Sequence, residues 1–182
     1  MKFLNFSSPF GPFTIVWKGK EPALRLQRIF LSDPKTKSEE KAHELFKLIE
    51  EGSSSSIIAL AENIRLFLRG EEVVFELKNI DFTICSKVQE KVLQAEYRIP
   101  RGWVSTYKQI ANHIGINNGA RVVGNSLAKN PFPIIIPCHR AIKTSGDLGG
   151  YQGGINMKRK LLELEGIEFS ERGKVITDRI YY

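Results

Sequence analysis

Cys138 stands in a segment that combines a nucleophile, a base and a cation. It follows Pro137 and is followed directly by His139 and Arg140. The thiolate is the nucleophilic form of cysteine, and because the pKa of a free thiol is about 8.5, nearby imidazole and cationic groups are the usual means of ionising it. We therefore expect Cys138 to be an ionised nucleophile. Cys85 has no adjacent histidine, and we expect it to be a small buried side chain.

The base beside Cys138 needs partners of its own. Consecutive side chains of an extended segment point to opposite sides, so we expect a water molecule to bridge Cys138 and His139. The imidazole also needs a carboxylate to fix its tautomer and stabilise its charged form. Three acids near the predicted helix of residues 155–165 are candidates, and their spacing does not choose among them: Glu163, Glu165 and Glu168.

The two cysteines do not predict a metal site. Cys85 and Cys138 lie far apart in the sequence and lack the paired spacing of zinc ligands. They also cannot form a disulfide framework. We expect neither a metal nor another cofactor.

Prolines shape the segment that leads to Cys138. Pro131, Pro133 and Pro137 surround the three isoleucines of positions 134–136. Proline lacks an amide donor and restricts the residue before it, so this segment does not continue a helix. We expect a buried, extended segment that delivers Cys138 to a rigid turn.

A helix-turn-helix is predicted N-terminal to this segment. Thr106 and Gln109 have the spacing of a capping box, so a helix should begin at Thr106 and end near Gly115. After a turn at residues 116–119, the second helix should place four side chains inward: Ala120, Val123, Leu127 and Ala128. The same helix should place three side chains outward: Arg121, Asn125 and Lys129. Such helix pairs bind DNA, but they also occur in plain helical cores.

The remaining pattern divides the chain into domains of residues 1–78 and 79–182. The pattern of residues 1–78 predicts a small antiparallel sheet with two amphipathic helices. Its strands are expected at 3–7, 13–18, 24–31 and 73–77, and its helices at 38–49 and 57–68. The serine-rich residues 51–56 predict a flexible surface loop. The second domain should be mainly α-helical, with Ile84, Val88 and Val92 recurring every four residues in a helix that ends at Tyr97.

Composition and charge narrow the classes of function. The 182 residues are 42% hydrophobic, and no apolar stretch approaches the roughly 20 residues that span a bilayer. The N-terminal residues lack the apolar core of a secretory signal, so we expect a cytoplasmic protein without membrane contact. Residues 1–82 hold 12 basic and 12 acidic residues, whereas residues 83–182 hold 15 and 8. Such a basic half is expected to meet a polyanion such as nucleic acid.

Several motifs of the C-terminal half together resemble one family. They are, in order, Ala120-Arg121-Val122-Val123-Gly124, Asn130-Pro131-Phe132-Pro133-Ile134, Pro137-Cys138-His139-Arg140, Gly149-Gly150-Tyr151-Gln152-Gly153-Gly154 and Leu161-Leu162-Glu163-Leu164-Glu165-Gly166. Over residues 82–167 their order and separations resemble the O6-alkylguanine-DNA alkyltransferases, also called methylated-DNA–protein-cysteine methyltransferases. The resemblance implies a ribonuclease-H-like α/β N-terminal domain without catalytic groups. It implies a mainly α C-terminal domain with a winged-helix-like helix-turn-helix.

The resemblance also assigns a role to each matching residue of the site. Cys138 would accept the alkyl group, His139 would take its proton through water, and Glu165 would polarise that histidine. Asn130 would brace the turn before the active-site segment. Tyr107 would donate a hydrogen bond to guanine N3 as the leaving purine gains negative charge.

The same resemblance implies how DNA is bound. Arg121 would enter the base stack in place of the rotated nucleotide, and the second helix would enter the minor groove. The small residues Ala120 and Gly124 would allow close approach to the DNA backbone, and Thr106 and Lys129 are further expected contacts. The pocket for the rotated base is expected to be formed by five residues: Tyr107, Pro133, Ala141, Tyr151 and Gln152.

The implied function is direct reversal of alkylation damage in double-stranded DNA by a monomer. The alkyl group of O6-alkylguanine, with O4-methylthymine as a second candidate substrate, would move irreversibly to Cys138, so each molecule would act once. Two residues depart from the family pattern. Gln152 stands where many members carry a serine that contacts the guanine oxygen, and Asn125 stands where a second glycine is common.

Two other classes of protein compete with this hypothesis. A damage-binding module without transfer, as in the alkyltransferase-like proteins, would lack the acceptor cysteine, which is present here as Cys138. A transcription regulator would use the same helices for sequence-specific binding in the major groove and would be indifferent to alkylation. Incubation with DNA that contains O6-methylguanine distinguishes the three.

Overall fold

The computed structural model describes residues 1–182 and places them in two units. The first consists of Met1–Ile84 together with Pro131–Ile135, and the second of Cys85–Asn130 together with Ile136–Tyr182. Nothing in the sequence pattern indicates that residues 131–135 join the first unit. No helix of either unit is long and apolar enough to cross a membrane.

The first unit is built on a four-stranded sheet. Its elements are β1 (Lys2–Phe6), β2 (Phe13–Lys18), β3 (Arg25–Leu31), α1 (Ser38–Leu45), β4 (Glu50–Glu51) and α2 (Ser55–Leu68). The strand order is β3-β2-β1-β4, and both β1 and β3 pair antiparallel with β2. The predicted antiparallel pairing is confirmed for these three strands, whereas the short β4 runs parallel to β1. The chain reaches β4 through α1, and crossover connections of this kind allow parallel pairing.

The core of the first unit lies around β2. This strand is an inner strand, and Phe13, Ile15, Val16 and Trp17 are all buried. On α2, Ile57, Ala61 and Ile64 recur at the spacing of one helical face and are buried as well. The predicted amphipathic pattern of this helix is therefore confirmed.

Two predicted elements of the first unit differ from the structure, one in its C-terminal end and one entirely. The helix expected over 38–49 ends at Leu45, because Glu50 and Glu51 pair with β1 in the sheet. Residues 73–77 form no strand. Here Phe75 packs against Phe67 with 5.8 Å between ring centroids, while Val74 is largely exposed. An aromatic contact therefore contributes to the placement of this segment, and strand pairing does not.

A carboxylate orders the serine-rich connection before α2. Glu21 accepts hydrogen bonds from the hydroxyl of Ser54 (2.6 Å), the hydroxyl of Ser55 (3.0 Å) and the amide of Ser56 (3.0 Å). Ser55 and Ser56 already belong to the first turn of α2. The loop predicted over residues 51–56 is shorter in the structure, since Glu51 belongs to β4 and the helix, capped by an acid from elsewhere in the unit, begins at Ser55.

The second unit is mainly helical. Its elements are α3 (Lys87–Tyr97), β5 (Ser105–Thr106), α4 (Tyr107–His113), α5 (Ala120–Ala128), β6 (Ala141–Ile142), α6 (Ile155–Leu164), β7 (Glu168–Phe169) and β8 (Val175–Ile176). α3 begins after Ser86, whose side chain caps it, and not at Ile84. Of the three apolar residues that recur every four positions, Ile84 and Val88 are exposed and only Val92 is buried.

α4 and α5 form the predicted helix pair. Thr106 caps α4 through both hydrogen bonds of the capping box with Gln109, which confirms that prediction. The buried side chains of the pair are Ile110, Ala111, Val123 and Leu127. The side-chain amide of Gln89, on α3, donates through Nε2 to the carbonyl oxygens of Ser126 and Lys129, both at 3.1 Å. The C-terminal end of α5 is therefore fixed against α3.

Candidate functional site

Cys138 opens a single 3₁₀ turn, Cys138–Arg140, that follows the buried residues 131–137. The expected burial of this segment is confirmed, but its expected extended form is wrong. Ile134 adopts a φ of 75°, in the left-handed region, where a β-branched residue is strained. The backbone turns at this residue, so the three isoleucines do not form a strand.

A pocket of about 360 Å³ opens onto Cys138 in the second unit. It is lined by Tyr107, Gly124, Leu127, Ala128, Cys138, Lys143, Gly149, Gly150, Tyr151 and Gln152. Only 5% of the surface of Cys138 is exposed. A reactant must therefore enter this pocket to reach the sulfur.

The environment of Cys138 disfavours the thiolate in the free protein. Burial raises the pKa of the Cys138 thiol to about 12, although a hydrogen bond from Asn130 and the positive charge of Lys158 act in the opposite direction. In the free protein desolvation outweighs the groups that favour ionisation, and the expectation of an ionised Cys138 stays a prediction. A base must remove the proton when the reaction takes place.

His139 lies in a buried cluster with Glu165 and Arg140. Nε2 of His139 is 2.9 Å from Oε1 of Glu165, and Arg140 donates to both carboxylate oxygens at 2.8 and 2.9 Å. Burial alone would raise the pKa of Glu165, but His139 and Arg140 lower it to about 2. Burial lowers the pKa of His139. An ionised Glu165 accepts a hydrogen bond from Nε2–H of the neutral imidazole, so Nδ1 is the basic ring nitrogen.

The structure brings only one of the three candidate glutamates to His139. Glu165 is buried beside it, whereas Glu163 is exposed and pairs with Arg159 at 2.8 Å. Glu168 is exposed at the start of β7. No group of three or more histidine, cysteine, aspartate or glutamate side chains is placed to hold a metal ion.

Asn130 and Gln152 connect the segments around the pocket. Asn130 is buried just after α5, and its Nδ2 donates to the carbonyl oxygen of Ile136 at 3.0 Å. Nε2 of Gln152 donates to the carbonyl oxygen of Asn130 at 2.5 Å. These two side chains therefore tie the end of α5 to the approach to Cys138 and to the loop of residues 149–152.

Two tyrosines line the pocket. Tyr107 begins α4, and a Cβ at Gly149 would lie 2.6 Å from its hydroxyl oxygen. Gly149 also has a φ of 72°, so both its conformation and this close approach require glycine. The hydroxyl of Tyr151 is buried without a hydrogen-bond partner, and the Tyr151 ring meets His139 edge-on. The Tyr151 hydroxyl is therefore a buried polar group whose hydrogen-bonding capacity the protein does not satisfy.

The outer face of α5 borders the pocket. Arg121, Asn125 and Lys129 are exposed, as predicted. Ala128 was expected inward, but it is exposed because it lines the pocket. A Cβ at Gly124 would meet no protein atom within 4 Å. The packing of the protein itself therefore does not require a glycine at this position.

Four further predicted residues have mixed placements. Ala120 and Thr106 are half-buried at the starts of α5 and α4. Pro133 is buried within residues 131–135 of the first unit and does not line the pocket. Ala141 is buried in β6, also outside the pocket lining, and its carbonyl oxygen accepts a hydrogen bond from Nζ of Lys158 at 2.6 Å.

Two charged residues without a role in the sequence prediction are buried near the pocket, Glu96 and Lys158. Helical spacing could have found both. Lys158 precedes the buried pair Leu161 and Leu162 by three and four residues, and Glu96 follows Val92 by four. Arg140 is buried as well. These two basic residues of the C-terminal half therefore cannot contact a phosphate of DNA.

Comparison with known proteins gives consistent matches. Residues 87–167 match the model of the 6-O-methylguanine DNA methyltransferase DNA-binding domain. The chain is 45% identical over 112 residues to a methylated-DNA–protein-cysteine methyltransferase of Methanothermobacter thermautotrophicus, and this alignment covers 62% of each chain. It is 34% identical over 167 residues to the Mycobacterium tuberculosis protein of the same name, covering 90% of this chain and 91% of that one.

A solved structure matches over a similar length. The crystal structure of Mycobacterium tuberculosis OGT in complex with DNA has a TM-score of 0.73 and 30% identity to this chain, covering 91% of this chain and 92% of that one. The two therefore share a mixed α/β fold of small sheets and helices.

Proposed function

The chain belongs to the methylated-DNA–protein-cysteine methyltransferase family, and on this premise we propose that it repairs DNA by moving the alkyl group of O6-alkylguanine to Cys138. The observation that carries the proposal is the position of Cys138. Its sulfur is reached only through a pocket of about 360 Å³, a size typical of small-molecule sites. His139 directly follows Cys138 in the chain, and Nε2 of His139 is 2.9 Å from Oε1 of the buried Glu165.

Activation of Cys138 begins at Glu165. With a pKa of about 12, ionising the thiol at pH 7 costs roughly 7 kcal/mol, since each pKa unit corresponds to about 1.4 kcal/mol. Glu165 accepts from Nε2–H of His139, so Nδ1 takes the proton of Cys138 through a water molecule. The imidazolium that forms is stabilised by the carboxylate of Glu165.

Transfer then follows as an in-line displacement. The thiolate forms a bond to the alkyl carbon, the bond from that carbon to O6 breaks, and its electron pair remains on the purine. Tyr107 donates a hydrogen bond to N3 while negative charge grows there, and the proton held by His139 returns to the purine through solvent. The thioether has no low-energy route back to a thiol, so each protein molecule acts once.

The alkylated base must leave the stack before this reaction, because neighbouring bases cover the alkyl carbon in a duplex. Extrusion of a base costs a few kcal/mol, and less when the damaged base is weakly paired. Arg121, exposed on α5, fills the gap in the stack. The ring of Tyr151 forms a wall for the extruded purine.

We propose that α5 enters the minor groove. Gly124 and Ala120 present little side-chain volume to the DNA, while Lys129 and Thr106 contact its backbone. Gln152 uses its amide to hold the carbonyl of Asn130, so we expect backbone groups to contact the guanine oxygen. O4-methylthymine is the second candidate substrate.

The two units have separate proposed roles. We propose that residues 1–78 form a ribonuclease-H-like domain without catalytic groups and that residues 79–182 form the winged-helix-like alkyltransferase domain. In support, Cys138, His139 and Glu165 all lie in the second unit, which also holds the hairpin β7–β8 after α6. We propose that one monomer acts on one lesion.

Incubation with a duplex that contains one O6-methylguanine tests the proposal. We expect guanine to be restored in the DNA as the free thiol of Cys138 disappears. Cys138→Ser should bind the duplex without transfer, and the matched control Cys85→Ser should transfer at the wild-type rate. Binding without transfer by the wild type would indicate a damage-binding module, and sequence-specific binding indifferent to the lesion would indicate a regulator. Either result would contradict the proposal.

A further inference from the structure

Lys158 is fully buried on α6. A lysine rarely loses all contact with water, because burying an ammonium group is costly unless it is paired or hydrogen-bonded. Nζ of Lys158 donates to the carbonyl oxygen of Ala141 at 2.6 Å and lies 3.5 Å from the hydroxyl oxygen of Tyr107. The ammonium group therefore lies behind a residue that lines the Cys138 pocket.

The contact with Tyr107 has a fixed direction. An ammonium group has donors and no acceptor, so the oxygen of Tyr107 accepts and its own O–H must point away from Lys158. Tyr107 lines the pocket, and the close approach of Gly149 restricts the position of its hydroxyl. Together these contacts leave the pocket as the direction for the phenolic proton.

Glu96 is a buried carboxyl group that interacts with the charge of Lys158. Burial raises the pKa of Glu96 to about 8, while Lys158 and Arg140 act in the opposite direction. Glu96 is fully buried on α3, and neither carboxylate oxygen has a hydrogen-bond partner. The cations that act on it are Lys158 and Arg140, and the guanidinium of Arg140 is already bonded to Glu165. Lys158, in contrast, is hydrogen-bonded to neutral groups only, and the acidic groups that raise its pKa are Cys138 and, from α3, Glu96.

We propose that Lys158 is a positioning residue that directs the hydroxyl of Tyr107 toward the leaving purine, and that Glu96 maintains the ammonium form of Lys158. The inference rests on the proposed transfer to Cys138. Lys158 gives up no proton in this scheme, since the proton of Cys138 still travels to His139 and then to the purine. Tyr107 thereby stabilises the charge that the breaking carbon–O6 bond leaves behind.

The proposal has a pH dependence with a definite sign. Burial lowers the pKa of Lys158 to about 8, while an ionised Glu96 raises it. A neutral amine can accept the Tyr107 proton and turn it away from the pocket. The other titratable or charged groups around this pair are Tyr107 from α4, Cys138, His139 and Arg140 from the 3₁₀ turn, and Tyr182 near the end of the chain. We expect the gain in rate from thiol ionisation to be offset above about pH 8.

Lys158 could also act on the reaction by changing the ionisation of Cys138. Two reactions of Cys138 distinguish that effect from the positioning of the Tyr107 hydroxyl. Alkylation by iodoacetamide reports the thiolate alone, because iodide leaves without help from Tyr107. Lys158→Met should slow methyl transfer from DNA roughly tenfold more than it slows iodoacetamide alkylation. In a Tyr107→Phe background this excess should disappear. The exposed Lys160→Met, on the same helix, is the matched control and should change neither rate.

A pH profile tests the part played by Glu96. Glu96→Gln should move the alkaline loss of methyl transfer to lower pH than in the wild type, and Lys158→Met should abolish that loss. The inference would be overturned if Lys158→Met slowed both reactions equally, or if the extra slowing of methyl transfer persisted in the Tyr107→Phe background. An unchanged pH profile of methyl transfer in Glu96→Gln would also overturn it. Absence of methyl transfer by the wild-type protein would instead overturn the proposed function.

Discussion

Replacing Glu165 by glutamine removes the anion that His139 and Arg140 share while leaving the side-chain size unchanged. The pKa of Glu165 is about 2 in the folded protein, against an ordinary value of 4.5. Part of this depression is attraction to the charged form of His139, so the difference corresponds to at most roughly 3 kcal/mol of stability at neutral pH, where the imidazole is neutral. The side chain is 1% exposed, so solvent screens little of this interaction. We expect Glu165→Gln to lower the free energy of unfolding by up to this amount at pH 7.

The pH dependence of this effect has one sign. The folded-state pKa is depressed, so the stabilisation is fully present above about pH 4.5 and is lost as the pH falls toward about 2. Denaturant unfolding of both proteins between pH 7 and pH 2.5 measures it. The difference in unfolding free energy between wild type and variant should shrink across the acidic part of that range.

Glu163→Gln is the matched control. Glu163 is exposed and makes only a surface ion pair with Arg159, so its loss should cost less than about 1 kcal/mol. Glu165→Gln should also slow methyl transfer by roughly 10²-fold, because the imidazole loses its carboxylate partner. Equal stability of the two variants at pH 7, or a Glu165→Gln difference that stays constant in acid, would refute the reasoning.

Three further substitutions test the DNA-binding face and the pocket. Gly124→Leu should leave Tm at or above the wild-type value, because a Cβ there meets no protein atom within 4 Å. The same variant should bind a duplex about tenfold more weakly in fluorescence anisotropy. Unchanged affinity would contradict the proposed role of α5. Arg121→Ala should slow methyl transfer from a duplex much more than it weakens binding to undamaged DNA, as single-turnover rates and binding titrations will show. Gln152→Ser should lose the hydrogen bond to Asn130 and about 1 kcal/mol of stability while transferring at close to the wild-type rate, and a large loss of rate would show that the Gln152 side chain contacts the base.

Local patterns predict those parts of the structure that local interactions determine. The capping box of Thr106 and Gln109 needs only four consecutive residues, and the buried face of α2 needs only helical spacing. The connection before α2 depends instead on Glu21, more than 30 residues earlier in the chain. No local pattern contains that partner, so the serine-rich segment looks disordered in sequence alone.

The site shows the same division. The order of motifs identifies Cys138 and its neighbours, but the pKa of the thiol depends on how completely packing removes water, which spacing does not contain. The turn at Ile134 likewise depends on surroundings that hold a β-branched residue at positive φ. Glu96 and Lys158 lie on apolar helix faces, where charged residues are usually taken as solvent-exposed.

The central claim is that the sulfur of Cys138 receives the alkyl group itself. A duplex carrying O6-methylguanine with a trideuterated methyl group, reacted with the protein and followed by peptide mapping, tests this directly. We predict one deuterated methyl group per protein molecule, located on Cys138, with Cys85 unmodified. Label on another residue, label released to solvent, or intact lesion after prolonged incubation would contradict the account.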